Sequence, residues 1–378
     1  MKHSAIIPLV GGAVIGATQS LGRRPEYIAS WSVFNKNDQF IREYMPDVPF
    51  WLIDGDKKIP KLPKVDIITC VPPCSGLSNA TTGTRGCQAP QNEHMLNVAE
   101  FGMAVKTPAI LIENAPALYS LGGYEFFVRF VPLAQKYGYS IQLYKTSTIK
   151  HGLPQNRVRS FVMLWRGKTQ PILNYIDEPY TPLDKWPIET TGDPVHPGKA
   201  SDDEMVAQVL KIFGNWKGLY QYMEEQGGGP QTAFNLVTRL NPKWKKIKFK
   251  EDRWQRLFDR AQRKAVLDVT PTFVRTFTNA LMWKVTTYMV HPTQDRFVNT
   301  RELMSWMGLP KDYPIISKKD MNKIFQNVPV NTVKTIVDEM KAALEGKRLW
   351  VKVPFMRVNN IKQQVESKAY TLDSLKLD

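Results

Sequence analysis

The feature that most constrains this chain is an alternation that runs from its N-terminus to about residue 166. Short apolar runs fall at Ile6–Val10, Tyr27–Ser32, Phe50–Ile53, Asp66–Val71, Ala109–Glu113, Ser140–Tyr144 and Ser160–Trp165. Between them lie segments of helical character, such as Gly16–Leu21, Glu93–Val105 and Phe126–Lys136. The runs are rich in Ile, Val, Leu and Tyr and lack strict polar alternation, so they are expected as strands buried on both faces. Strand–helix alternation of this kind builds an α/β fold: a mixed, mostly parallel sheet with helices on both faces. At 378 residues the chain is too long for one ordinary core and suits two domains, or one large domain carrying an insertion.

The texture changes after Gly167. Prolines accumulate at 171, 179, 182, 187, 194 and 197, and a helix is expected from Ser201, where Ser-Asp-Asp-Glu has capping-box spacing. Gly227-Gly-Gly-Pro230 reads as a hinge or loop. The most basic stretch follows: Lys243, Lys245, Lys246, Arg253, Arg256, Arg260, Arg263 and Lys264, interleaved with Trp244, Phe249, Trp254 and Phe258. With a net charge of +16, cations set among rings suit a nucleic-acid face. A basic helix side that is simply solvated fits the same pattern. The three cysteines, an odd and sparse set, argue against a disulfide scaffold and for a reducing compartment. At the N-terminus, Ser4–Ala17 is mostly apolar but is broken by Pro8, Gly11, Gly12 and Gly16. It reads as strand, turn and helix rather than as a signal peptide. No other apolar run is long enough to span a bilayer.

Three strand ends carry polar groups. Asp66–Val71 runs into Pro72-Pro73-Cys74, followed by small polar residues. A cysteine there sits where open α/β sheets bind ligands, and neighbouring cations can activate its thiol. An inert buried cysteine is one competing reading. Zinc held by Cys70, Cys74, Cys87 and His94 is another, but its C-x3-C-x12-C-x6-H spacing is irregular; no metal is expected. Ile110–Ile112 delivers Glu113-Asn114, and a carboxylate at a central strand end is costly to bury without a partner or a task. In His151–Ser160, Arg157 and Arg159 share one side of a strand-like alternation and could present two guanidinium groups to oxygens.

Pro-Pro-Cys74, then Glu113-Asn114 about forty residues on, then Gln155-x-Arg157-x-Arg159 a similar distance further, together resemble the C5-cytosine DNA methyltransferase family. His291–Pro310 and Gln326-Asn-Val-Pro-Val330 resemble that family's later blocks, and the N-terminal style resembles its phage-encoded members. The resemblance covers roughly residues 4–166 and 270–343. It implies a Rossmann-like S-adenosylmethionine-dependent methyltransferase fold over 1–166 and a smaller inserted target-recognition domain over 167–310. A return to the catalytic domain over 311–345 and a tail over 346–378 complete the chain.

The same resemblance implies methyl transfer from S-adenosyl-L-methionine to carbon 5 of a cytosine flipped out of duplex DNA. Cys74 would be the nucleophile, Glu113 would hold the ring, and Arg157 and Arg159 would complete the catalytic set. Gly11, Gly12, Trp31, Asp56, Gln326 and Asn327 would bind the cofactor. Ser75, Gln155, Lys243, Lys245, Lys246, Arg253 and Arg256 would meet DNA, in a cleft closed by a loop over Ser75–Gln91. A monomer acting on DNA in the cytoplasm of a bacterial or phage-infected cell is the corresponding setting, as a stand-alone modifying enzyme. RNA cytosine methylation and a non-catalytic DNA-binding relative are the alternatives. The departures from the family pattern lie mainly on the cofactor side. Phe-x-Gly-x-Gly is shortened to Val10-Gly-Gly-Ala-Val14, a ribose-binding acid is replaced by Ser30 or Ser32, and Ser75 stands where glutamine is usual.

Overall fold

A computed structural model describes residues 1–53, 62–74, 77, 92–119, 121–182, 185–193, 213, 216–240, 274–275, 294 and 298–353. The chain divides into two compact units. The larger comprises Met1–Tyr180, Met304–Pro314 and Asn322–Asp378, and the smaller Thr181–Leu303 and Ile315–Met321.

The larger unit is built on a seven-stranded sheet. Its strands are β1 (His3–Ile6), β2 (Ile28–Ser30), β3 (Phe50–Leu52), β4 (Ile67–Cys70), β5 (Ala109–Asn114), β6 (Tyr139–Ser147) and β7 (Val158–Arg166). The spatial order is β3-β2-β1-β4-β5-β7-β6. The first five run parallel, whereas β7 is antiparallel to both β5 and β6. All seven expected strands form, and the expected mixed, mostly parallel α/β sheet is what the chain builds. The central strands β1, β4 and β5 are buried along their whole length, the polar His3 and Ser4 of β1 and Glu113-Asn114 of β5 included.

The first strand ends earlier than its apolar run suggested. Ile7 and Leu9 both have φ of 51° and Gly11 has φ of 92°. The backbone therefore leaves the extended region after Ile6, and Ile7–Gly11 becomes a buried turn. Helix α1 then starts at Gly12 and ends at Leu21. The remaining helices of this unit include α2 (Asn35–Tyr44), α3 (Glu93–Ala104) and α4 (Leu121–Tyr137). Near the C-terminus, Val330–Leu344 forms a further helix that packs along α1. That approach is close because α1 carries glycines on the contact side: a Cβ on Gly16 would lie 2.6 Å from the Val330 carbonyl oxygen. Ser20 Oγ then donates to Asp338 at 2.6 Å. Thr169–Pro171 pairs antiparallel with Trp350–Lys352, so the chain beyond the last helix returns to the sheet and sets Trp350 edge-on to Trp165.

In the smaller unit, helices Trp216–Glu225 and Gly229–Leu240 form a pair around buried Leu219, Met223, Ala233 and Leu236. The expected break at Gly227–Gly229 separates them, with all three glycines at positive φ. Asn299 and Glu302 cap the helix Thr300–Trp306 reciprocally: Asn299 N–H donates to Glu302 Oε2 at 2.9 Å, and Glu302 N–H to Asn299 Oδ1 at 2.8 Å. The expected helix at Ser201 lies outside the described residues. No helix among the described residues is long and apolar enough to cross a membrane.

Candidate active site

Parallel strands leave their carboxyl ends on one edge of the sheet, and the order of strands reverses beside β1. Cys70 pairs with both Ile6 and Ile112, so the chain leaving β4 toward Cys74 emerges between the ends of β1 and β5. Because β7 is antiparallel, its beginning lies at that edge too: Ser160 pairs with Asn114, and Phe161 with Glu113. Cys74, Glu113 and Arg159 are therefore brought together by strand register, although 85 positions separate the first from the last.

Glu113 is 5% exposed, and its Oε1 lies 2.9 Å from Arg159 Nε in a buried ion pair. Burial pushes the Glu113 carboxyl up, against the opposing pull of Arg159 and then Arg157. Arg159 Nη1 donates to the Val158 carbonyl at 2.8 Å, which fixes the guanidinium plane. Cys74 is half-buried and free of disulfide. Its thiol is raised above its ordinary value, first by burial and then by the Glu113 charge, while Arg159 and Arg157 pull it down. Each ionisable group thus sets the state of the others. A neutral Glu113 removes the anion that opposes the Cys74 thiolate and leaves two cations that favour it. Cys70, by contrast, is fully buried within β4, and burial alone raises its thiol far above the ordinary range. Among the described residues, no cluster of three or more His, Cys, Asp or Glu could hold a metal.

Arg157 has a different setting from Arg159. It is 1% exposed, and its Nη2 donates to the carbonyls of Phe325 at 2.6 Å and Asn327 at 3.0 Å. Its own carbonyl accepts from Thr148 N–H and Oγ, both at 3.0 Å. Burial pulls its guanidinium down to about 9, so it remains a cation at neutral pH. Asn327 also reaches the turn after β1: its Oδ1 accepts from Gly12 N–H at 2.9 Å across 315 positions of sequence. A Cβ on Gly12 would stand 1.9 Å from the Val328 carbonyl oxygen, so only glycine fits. Asn327 therefore ties the expected cofactor turn to Arg157 and, through it, to the neighbourhood of Cys74.

The expected cofactor residues Gly11, Gly12, Trp31 and Asn327 all lie in the larger unit. The Trp31 ring is half-buried at the end of β2, edge-on to His94 at 6.0 Å, and His94 meets Phe34 at 4.9 Å. Two buried polar atoms here, Asn327 Nδ2 and His94 Nδ1, have no hydrogen-bond partner among the described residues. Gln326 is exposed beside Asn327. Gln155, expected among the DNA contacts, is instead fully buried, and its amide donates to the Trp306 carbonyl and, at 3.2 Å, to Met307 Sδ. Asp56, Ser75, Lys243, Lys245, Lys246, Arg253 and Arg256, with the loop to Gln91, lie outside the described residues.

Two residues here escaped the reading of the sequence. His94 was weighed only as a zinc ligand. Asp38, on α2, is fully buried and accepts from Leu9 N–H at 3.1 Å. No feature of the sequence points to Asp38, since its burial follows from the packing of α2.

The sequence model of C-5 cytosine-specific DNA methylases matches residues 31–342. The chain belongs to this family. Among curated relatives of this methylase, the type II methyltransferase M.AgeI of Thalassovita gelatinovora is 30% identical over 99 residues. That match spans 26% of this chain and 23% of the relative. Among solved structures, a DNA modification methyltransferase described as encoded within a prophage (E. coli) superposes with a TM-score of 0.58 at 13% identity. It covers 91% of this chain and 99% of its own. The Entamoeba histolytica methyltransferase EhMeth superposes with a TM-score of 0.53 at 11% identity, over 91% and 98% of the two chains. At such identities the two structures establish a shared fold, that of methyltransferases, as the sequence resemblance implied.

Proposed function

We propose that this methylase transfers a methyl group from S-adenosyl-L-methionine to carbon 5 of a cytosine in duplex DNA, with Cys74 as its nucleophile. The observation that carries the reading is the convergence of a half-buried thiol, a buried carboxyl with a raised pKa and two guanidinium groups on one sheet edge. Carbon 5 of cytosine is a weak nucleophile, and covalent addition at carbon 6 makes it an enamine. The Cys74 thiol first gives its proton to solvent water, and the Sγ thiolate then bonds to carbon 6 as the ring double bond shifts its electrons toward N3. A protonated Glu113 donates to ring N3 as the ring takes up electrons, which its raised pKa suits. Arg159, held by Glu113 and Val158, would meet the ring carbonyl oxygen. The bound cofactor would supply one electrophilic methyl group, which carbon 5 takes as the donor carbon–sulfur bond breaks. A base then removes the carbon 5 proton, the bond from Sγ to carbon 6 breaks, and the N3 proton returns to Glu113. A stacked base gives no access to carbon 6, so the target nucleotide must leave the helix.

For the cofactor, the Gly11-Gly12 turn at a helix start, the Trp31 ring and Asn327 are the residues that would hold it. The basic stretch 243–264 supports DNA as the partner through its charge. A monomeric, stand-alone modifying enzyme working on DNA in the cytoplasm of a bacterial or phage-infected cell is the setting we propose. The test uses labelled S-adenosylmethionine, duplex DNA of mixed sequence, and the native protein beside Cys74→Ala. Label recovered as 5-methylcytosine from the native reaction alone is the expected result. Transfer by both proteins would remove Cys74 from the mechanism, and DNA binding without transfer by either would favour a non-catalytic relative.

A further inference from the structure

The turn between β1 and α1 places a leucine where the backbone asks for glycine. Leu9 sits at φ 51°, in the left-handed region that residues with a Cβ rarely enter. Such a conformation persists only where its surroundings over-determine it. At Leu9 those surroundings are furnished by α2. Asp38, in the first turn of α2 and 0% exposed, accepts the Leu9 N–H at 3.1 Å. One helical turn further, Ile41 closes on Gly11, where a Cβ would lie 2.4 Å from Ile41 Cδ1. The second Asp38 oxygen is buried beside Ser30 at the end of β2, and burial pushes the carboxyl up to about 7 against the pull of Ser30, the Leu9 amide and Arg42. A carboxyl that costly to bury has a task, and beside Ser30 it meets the Leu9 amide as a hydrogen-bond donor.

We propose that Asp38 is the positioning residue of the cofactor turn: its hydrogen bond to Leu9 holds the left-handed conformation that a glycine would adopt unaided, and so keeps Gly11 and Gly12 in place for the ligand. This rests on the reading of that turn as a cofactor site. On that reading, it accounts for how a turn with a shortened glycine pattern would keep the conformation a cofactor needs.

The experiment is a double-mutant cycle on the full chain, with Leu9→Gly, Asp38→Ala, the two combined, and Asp38→Asn. The readouts are the Kd for S-adenosylhomocysteine by calorimetry and the hydrogen-exchange protection of the Leu9–Gly12 amides without ligand. Asp38→Ala should weaken binding roughly tenfold, as expected for a lost buried hydrogen bond plus released backbone strain, and should deprotect the turn. Asp38→Asn, which keeps an acceptor oxygen, should bind within about twofold of native. In the Leu9→Gly background, Asp38→Ala should cost no more than about twofold, because glycine needs no holding. Equal losses in both backgrounds, or a double variant that fails to fold when Leu9→Gly alone folds, would give Asp38 a general packing role and overturn the proposal. If native protein binds no cofactor, the reading of the site fails by itself. The exchange arm then still decides on Asp38, since unchanged protection in Asp38→Ala sinks the proposal.

Discussion

Replacing Arg157 by methionine should damage stability more than chemistry, the reverse of what its place in a catalytic motif suggests. The side chain is 1% exposed and donates through Nη2 to the Phe325 and Asn327 carbonyls at 2.6 and 3.0 Å. A hydrogen bond from a charged group contributes about 1.5–3 kcal/mol net, and two therefore about 3–6 kcal/mol. Methionine fills much of the same volume, so the cavity contribution is small, but two buried carbonyls lose a donor. For a unit of this size, about 2–4 °C is lost per kcal/mol, which places the fall in Tm at roughly 6–24 °C. Arg159→Met is the comparator. Arg159 holds Glu113 of the neighbouring strand and the adjacent Val158 carbonyl, and Glu113 accepts a proton readily once alone. Its Tm should fall by less than half as much, while methyl transfer at 15 °C falls by at least about 100-fold, the usual scale for a group that meets developing charge. Melting followed by circular dichroism, with transfer rates measured on folded protein at 15 °C, separates the two. An Arg157→Met variant that melts within about 2 °C of native would refute the view that this guanidinium is a strut for the C-terminal segment.

Glu113→Gln should make Cys74 react faster with iodoacetamide at pH 8, because the anion that raises the thiol is gone and both arginines remain. The same variant should lose methyl transfer by roughly 100-fold or more, having no proton to give; slower alkylation would contradict the electrostatic assignment. Asp38, raised to about 7 in the folded chain from near 3.8, binds more protons folded than unfolded between pH 4 and 7, so its contribution to stability declines as pH rises through that window. Denaturant titrations of Asp38→Asn against native should therefore show the variant gaining relative stability from pH 4 to 7, by up to about 4 kcal/mol, and no further change above. His151, lowered to about 4 by burial, has the opposite sign: its stabilisation is full above pH 6.5 and is lost as pH falls to 4, so His151→Gln should flatten the acid side of the profile. Gly12→Ala would set a methyl 1.9 Å from the Val328 carbonyl oxygen and should abolish cofactor binding measured by calorimetry; retained binding would mean that the Val328 carbonyl can move aside without disturbing the turn.

The sequence by itself determined the sheet. Apolar runs that must leave water placed the strands within a few residues, although β1 forms on His3–Ile6 and shares only Ile6 with its expected run. It also singled out Cys74, Glu113 and Arg159 as candidates, because polar groups at the ends of such runs emerge on the edge where open α/β sheets bind ligands. Tertiary structure alone decided what those groups do to one another. The strand order and the reversal of β7 set Arg159 against Glu113. The packing of the last helix on α1 carries Asn327 to Gly12 across 315 positions and gives Arg157 its acceptors. The conformation of Leu9 and the burial of Asp38 belong to the same class. No local propensity favours either one. Each persists only because surrounding elements close over it, and contacts between distant elements leave no periodicity in the chain for a reader to find.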